Sequence, residues 1–531
     1  MLMSEDRIIP LFGRREEPGV TESPAEDAYP VVYTDEQPRI VLRHALRVMK
    51  EANDPPVIFR RAGHLVRLID VREGDVPHIV PCTKRSLFRY FAEVADWKKR
   101  TINGEAPSSP PSRILDAILE DPDKGLLELD TVISVPVFGK DFDLIDSPGY
   151  HADEQVYFHD TAGLRTSIPV RLDIAEARRL LLEAICDFPF TDQASRAHAV
   201  ALMLLPFIRR AIKDAPTPLH IIESPTPGSG KGRLADLVAV ITTGEPCNPT
   251  TLSASSAENR KKFTSLMVVG VSIILLDNIP QNCTLNDPAL ASVLTSTQPT
   301  DRLLGSNQML SLNNQAVWIA TANNPRFSLE LARRSVRIRI DPRTDRPWLR
   351  QNFRHEDLLT WARHYRSQLV RACLTLVLAW REEGCPRWRG ETLGSFEEWS
   401  AVLGGILHVS GIPGFLGNLE TMYVDADVET PEWCALTQLW WERFGGESVK
   451  ASDLHVLCQQ HEVLSDVIGY GGLRSQVSKL GRALNRNIDR FFGDFKIARD
   501  TVVTRSSARY VLRQVEQAAD LIEGTESVDA G

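Results

Sequence analysis

The sequence predicts an α/β protein: a parallel sheet core with helices on both faces, preceded by an N-terminal α+β region and followed by a small C-terminal unit of two helices and a hairpin. Three observations predict it. Between residues 219 and 340, apolar runs of strand length alternate with stretches of helical spacing, the order that builds a parallel sheet. The first run, Leu219 to Ile222, enters a loop of small residues and prolines that ends in Lys231. Two later runs, Ile273–Leu276 and Ala316–Ala322, end in polar side chains, Asp277 and Asn323. Such sheets bind ligands at the carboxyl ends of their strands, so these three residues are expected to meet.

Length and composition bound the rest. A chain of 531 residues is too long for one core and implies about three domains. A net charge of −9 and a pI near 5.8 exclude a generic polyanion binder, so any nucleic-acid surface must be local. The eight cysteines are scattered, with no Cys-x-x-Cys and no Cys/His cluster at metal spacing, which predicts reduced thiols in a cytoplasmic protein and no zinc module. The longest apolar runs, around Leu266–Leu276 and Val200–Ile208, are too short to span a bilayer, so no membrane partner is expected. The acidic, proline-rich N-terminus does not read as a signal peptide.

Taken in order, residues 1–36 read as a mobile polar tail and 37–170 as the α+β region. In that region Ile40–Met49 and Lys84–Trp97 keep helical spacing. Val57–Gly63 and Leu65–Ile69 read as a hairpin turning at Gly63-His64, and Asn103–Ser112 as a linker. A helix at Ile114–Leu119 and short strands near Val132–Val137 and Val156–His159 follow. No catalytic spacing appears here; His64, His78 and His151 read as structural or surface residues. The predicted core, 171–345, opens with helices at Ile174–Cys186 and Ala194–Ile212.

The loop Pro225–Gly232 then carries the chemistry. Backbone N–H groups of a glycine turn and of a helix N-terminus point at an anion, and a lysine there adds a charge at the β/γ-phosphates of a nucleotide. Pro227, Gly228, Ser229, Gly230, Lys231, Gly232 and Arg233 are therefore the candidate ATP-binding residues. The loop departs from the usual pattern twice: Pro225 stands where a glycine is usual, and Gly232 where a Ser or Thr would ligate magnesium. Asp277, 46 residues beyond the lysine, is the candidate Mg²⁺ ligand. Asn278 follows it where a glutamate would commonly activate water; an amide positions water but is a poor base. Hydrolysis is then slow, or Asp287 or Asp301 supplies the base, or Asn278 only positions the water. Asn323 (or Asn324) is placed to sense the γ-phosphate. Arg333 and Arg334, about ten residues on, are candidates for an arginine finger reaching a neighbouring subunit. Arg337 and Arg339 alternate with apolar residues and are expected on an exposed strand face.

Residues 346–446 read as a helical lid and connector: a long helix Asp357–Trp380, then Phe396–Val409 and Glu432–Phe444, with Trp361, Trp380, Trp399 and Trp440 in the core. Residues 447–515 show the helix–helix–hairpin order of a winged helix: Ala451–Gln459, Leu473–Ile488, and strands near Phe495 and Ala508–Leu512. Residues 471–513 hold ten Lys/Arg against three Asp/Glu, a local +7 in an acidic chain. Lys479, Arg482, Arg486, Arg505 and Arg509 are its candidate DNA-binding residues. The alternative is a solvated basic face in a protein-interaction module. Residues 516–531 read as a second tail.

With these residues in view, 194–345 resembles the AAA+ ATPase core: phosphate loop Gly228–Gly232, Walker B strand Ile273–Asn278, sensor strand ending at Asn323, and Arg333-Arg334 at the finger position. The preceding helices and the extra strands between acid and sensor are similar to superfamily 3 helicases and the helicase-like ATPases of phages, plasmids and integrated elements. The resemblance implies a ring-forming motor on DNA: a homo-oligomer, hexameric in the family, using ATP and Mg²⁺ to unwind or translocate during replication of a mobile genetic element. It implies a pore hairpin at Arg302–Leu312, with Arg302, Ser306 and Asn307 facing DNA, and any primase as a separate partner. Two other functions remain open at this stage: a slowly hydrolysing nucleotide-gated DNA-binding or loader protein, and an AAA+ protein remodeller whose C-terminal domain docks a partner.

Overall fold

The structure is a computed structural model and describes residues 29–69, 76–122, 125–160, 172–212, 215–280, 284–302, 309–427, 429–500 and 508–514. The chain forms two compact units, 1–422 and 423–531. The second unit therefore starts earlier than residue 447, because the helix Glu429–Phe444 supplies Trp433, Leu436 and Trp440 to its core. The tail expected after 515 and residues 1–28 of the one expected over 1–36 lie outside the described residues; the end of the latter is corrected, because Val31–Tyr33 is a strand paired in parallel with Asp96–Lys98, with Val32 buried.

The N-terminal region is α+β, as expected. Helices Pro38–Glu51, Lys84–Val94 and Ser112–Glu120 bury Val41, Met49, Leu87, Phe91 and Ile114 together. Thr83 caps the second, accepting from the Ser86 N–H at 3.1 Å. The hairpin Ile58–Arg61/His64–Ile69 turns through Ala62 and Gly63 at positive φ. Two expectations are corrected. Trp97 is in a strand, Asp96–Thr101, and not at a helix end. Part of the expected linker is a strand, Gly104–Pro107, paired antiparallel with it across Ile102-Asn103. Asp96–Thr101 is rich in charge, and Gly104–Pro107 is a short polar strand at the sheet edge, so neither shows the apolar alternation that marks a half-buried strand.

In the core, helices α1 (Ile174–Ala184) and α2 (Gln193–Ile208) precede strand β1 (Leu219–Ser224). Then come α3 (Lys231–Thr243), β2 (Pro249–Thr250), α4 (Ser256–Val269), β3 (Ile273–Ile279), α5 (Pro288–Thr295), β4 (Val317–Asn323) and β5 (Ser335–Arg339). The five strands are all parallel in the order β2–β3–β4–β1–β5. Strand β1 is buried at all six residues; Ile221 and Ile222 alone contribute about 2 kcal/mol each by leaving water. The sheet direction puts the ends of β1, β3 and β4 at one edge, with β4 between the other two.

The expected helix Asp357–Trp380 is two helices, Leu358–His364 and Arg366–Glu382. At the break Arg366 turns inward and donates to the carbonyls of Ile241 (3.1 Å) and Thr242 (3.0 Å) at the end of α3, satisfying last-turn acceptors. Trp380 and Trp399 are core residues; Trp361 is half-buried and stacks on His355 at 4.0 Å. No described helix is long and apolar enough to cross a membrane.

The second unit has a four-stranded sheet, β6 (Val449–Lys450), β7 (Phe491–Phe492), β8 (Phe495–Arg499) and β9 (Arg509–Gln514), in the order β6–β9–β8–β7. Helices α6 (Ala451–His461), α7 (Ser465–Ile468) and α8 (Leu473–Arg486) pack on it through Leu454, Leu480 and Leu484. The strand β6 and the short helix α7 were not legible as elements, being two and four residues long.

Candidate nucleotide site

The loop from Ser224 to Lys231 turns on two glycines. Gly228 has φ +74° and Gly230, the cap of α3, has φ +96°, a region that costs other residues about 1–2 kcal/mol. A Cβ on Gly228 would come within 3.2 Å of Trp348, and one on Gly230 within 3.5 Å of Phe188. Lys231 is the first residue of α3 and 9% exposed. Its Nζ donates to Asn323 Oδ1 (2.6 Å), Ser229 Oγ (3.1 Å) and the Thr226 carbonyl (3.3 Å). All three are acceptors against which a phosphate oxygen would compete. Burial pushes the ammonium's pKa down, and the charge of Asp277 opposes that shift.

The amide question is decided by geometry. Asn323 faces the lysine. Asn324, at φ +38°, donates its N–H to the Ser224 carbonyl (3.0 Å) and accepts from Arg339 Nη2 (3.4 Å).

Asp277 and Asn278 form a bulge. Leu276 pairs with Ala320 and Ile279 with Ala322, so two residues of β3 oppose the single Thr321 of β4. Thr321 fills the gap: its hydroxyl accepts the Asn278 N–H (2.9 Å) and donates to Asp277 Oδ1. Asn278 sits at φ +56°, where asparagine is among the few side chains commonly found. This gives a backbone reason for Asn where glutamate is usual, and it leaves the amide exposed. Asp287 and Asp301 are committed elsewhere. Asp287 caps α5, accepting from Leu290 N–H (2.9 Å), and also from Asn259; Asp301 accepts from Thr264 Oγ1 (2.7 Å) and pairs with Arg260 (3.2 Å). Neither shares a partner with Lys231, Asp277 or Asn323.

Sequence reasoning missed three groups. Thr321 was legible, since it precedes Asn323 by two and so lies on the same face of β4. Asp236, on α3, accepts the Cys247 N–H at 3.2 Å. Burial raises its pKa and Asp277's charge adds to the rise, which marks two neighbouring carboxyls. The third is Glu223 of β1, 1% exposed, paired with Arg337 (3.2 Å) and Arg339 on β5. The expected exposed face for those arginines is thus corrected. Arg337 is buried and Arg339 half-buried, because β5 pairs with the fully buried strand β1 and their charges meet Glu223 inside.

Arg333 and Arg334 come just before β5. The Arg334 carbonyl accepts the Leu219 N–H at the start of β1 (2.9 Å), so both lie at the opposite edge of the sheet from Lys231. The length of β1 puts about 16 Å between those edges, which rules out a role on their own chain's phosphates. Arg333 is exposed; Arg334 donates to the Glu330 carbonyl (2.7 Å). Thr300–Arg302 and Met309–Ser311 form the expected hairpin with Arg302 exposed, while its tip, including Ser306 and Asn307, lies outside the described residues.

In the second unit, α8 exposes Arg474, Ser475, Ser478, Arg482 and Arg486 on one face, with Lys479 half-buried beside them. Arg509 does not join them: it is half-buried and donates to the Ser448 carbonyl at 3.1 Å. Arg505 lies outside the described residues.

Among the described residues no three His, Cys, Asp or Glu side chains cluster at metal-binding distance. The donor set still fits magnesium, which takes one or two carboxylates plus phosphate oxygens: Asp277 is half-buried beside Lys231, with Asp236 near it.

No protein-family model matches the chain, and no curated protein matches it. Among solved structures it is similar to the apo NrS-1 C-terminal region, at 13% identity and TM-score 0.41, over 88% of this chain and 99% of that one. It is similar to an active helicase, Cch of SCCmec type IV, at 11% and 0.37, over 86% and 93%. It is also similar to the JCV helicase, at 13% and 0.21, over 52% and 75%.

Proposed function

We propose that this chain is an ATP-dependent DNA helicase or translocase of the AAA+ kind, similar to superfamily 3 helicases, that assembles as a ring and serves replication of a mobile genetic element. The observation that carries the reading is the Lys231–Asn323 bond at the carboxyl edge of the sheet, with Asp277 anchored by Thr321 on the next strand. A lysine grips the phosphates, an amide meets the terminal one, and Asp277 with Asp236 would hold Mg²⁺, whose charge neutralises the phosphates. Arg333 serves a neighbour's nucleotide and not its own, a role its exposure at the far edge supports. The second unit, in which α6, α7 and α8 pack on a sheet with a hairpin, acts as a winged helix whose α8 face meets DNA phosphates.

Asn278 favours a second reading: with Asp287 and Asp301 engaged in structure, the protein cycles slowly as a nucleotide-gated DNA-binding protein. DNA-stimulated ATPase and strand-displacement assays separate the two. The helicase reading expects Lys231→Ala to lose ATP binding, and Arg333→Ala to bind ATP but lose turnover by several powers of ten. Full turnover in both variants would overturn the site assignment; binding without DNA-stimulated turnover in the wild type selects the gated protein.

A further inference from the structure

The turn between α7 and α8 reads Gly469-Tyr470-Gly471-Gly472, and Tyr470 is 101% exposed. Leu473, the first residue of α8, is 64% exposed. Two large apolar side chains thus stand in water at the N-terminal end of the basic helix. The turn is held in place. Gln476 Nε2 donates to the Gly469 carbonyl (3.0 Å), and Gln476 Oε1 bonds Nε2 of the buried His455 (3.1 Å). The Gly469 N–H donates to the Ser465 carbonyl at 2.8 Å. Gly469 (φ +62°) and Gly471 (φ +152°) take conformations that side chains resist, so the glycines present the tyrosine outward. Lys479 lies over the same turn: a Cβ on Gly469 would meet its Nζ at 2.9 Å. From Val467 to Ile488 there is no acidic residue, and Arg474, Arg482 and Arg486 share the exposed face.

An aromatic ring beside a basic helix face fits a polyanion that also offers flat apolar faces. We infer that Tyr470, with Leu473, contacts the bases of DNA while the surrounding cations hold the phosphates; this rests on the DNA-binding role proposed above for the second unit. Aromatic contact with a base is sequence-tolerant, because every base has a π-face.

The test is binding of the full chain, without nucleotide, to a fluorescein-labelled single strand by anisotropy across a KCl series. Tyr470→Ala should weaken binding about tenfold at every salt concentration and leave the slope of log K against log[KCl] unchanged. Tyr470→Phe should bind like the wild type. The Lys479→Ala/Arg482→Ala double variant should flatten the slope by about 1.4. Tyr470 touches no core residue, so its variants should unfold at the wild-type midpoint. Wild-type affinity for Tyr470→Ala beside a flattened slope for the double variant overturns the base contact and keeps the DNA-binding unit. An unchanged slope in the double variant removes the DNA reading of this face, and the inference with it.

Discussion

At the scale of single residues, the site depends on how one threonine resolves a mismatch between strands. Thr321 is the only residue of β4 opposite Asp277 and Asn278, and its hydroxyl serves both: acceptor to one N–H, donor to the other carboxylate. Thr321→Val keeps shape and branching but leaves the Asn278 N–H without its acceptor, at a cost of about 1–3 kcal/mol. It also frees the Asp277 carboxylate from a fixed direction. The expected result is a lower urea midpoint and weaker Mg²⁺-dependent ATP binding, with Thr321→Ser restoring both. Wild-type values for both measurements in the valine variant would mean the bulge is anchored by backbone alone. The lysine, acid and amide were readable from three widely separated stretches because each ends a buried strand or opens a helix. Thr321 was readable only from the two-residue period of its strand. Asp236 gave no signal, since a carboxylate one turn into a helix looks like surface charge until the fold buries it.

At the scale of elements, alternation misled where a strand turned out to be buried on both faces. Arg337 and Arg339 follow the pattern of a half-solvated edge strand, yet β5 lies against β1 and both arginines converge on Glu223. A single sequence does not show which strand a strand will pair with, so the counter-charge, more than a hundred residues away, was invisible. The same blindness made a linker of the polar strand Gly104–Pro107 and one helix of the two joined at Tyr365. The Glu223 cluster makes an asymmetric prediction. Glu223→Leu leaves Arg337 buried without this carboxylate and should cost about 3–5 kcal/mol. Arg337→Met leaves Glu223 with Arg339 and should cost less, and the double variant should recover most of the loss. Urea unfolding of the three variants measures this; equal costs for the two single variants would show that the charges act independently.

At the scale of the whole molecule, the α/β class, the parallel core, the positions of β1, β3 and β4 and the basic C-terminal helix were all legible, because long apolar runs and local charge reversal survive without partners. What long-range packing decides was not, and the two buried histidines of the core belong to that part. His198 on α2 bridges β5 to the segment after residue 409: its Nδ1–H donates to the Arg337 carbonyl (2.8 Å) and its Nε2 accepts the Leu416 N–H (3.0 Å). His220 lies within β1, its ring 5.8 Å from that of Trp399. Burial lowers His198 to about 4 and His220 to about 3, from an ordinary value near 6.5. The unfolded chain therefore takes up two protons below pH 6.5 that the native protein refuses. Their stabilisation is fully present above pH 6.5 and is lost as pH falls through the unfolded value toward 4 and then 3. Near pH 5 the slope should approach about 1.4 kcal/mol per pH unit for each histidine, before the carboxylates add theirs. Denaturant unfolding at half-unit steps from pH 7 to 5 reads this slope directly. His220→Leu should reduce it by one histidine's worth while sparing the His198 bridge. An unchanged slope in that variant would place the acid sensitivity in other groups.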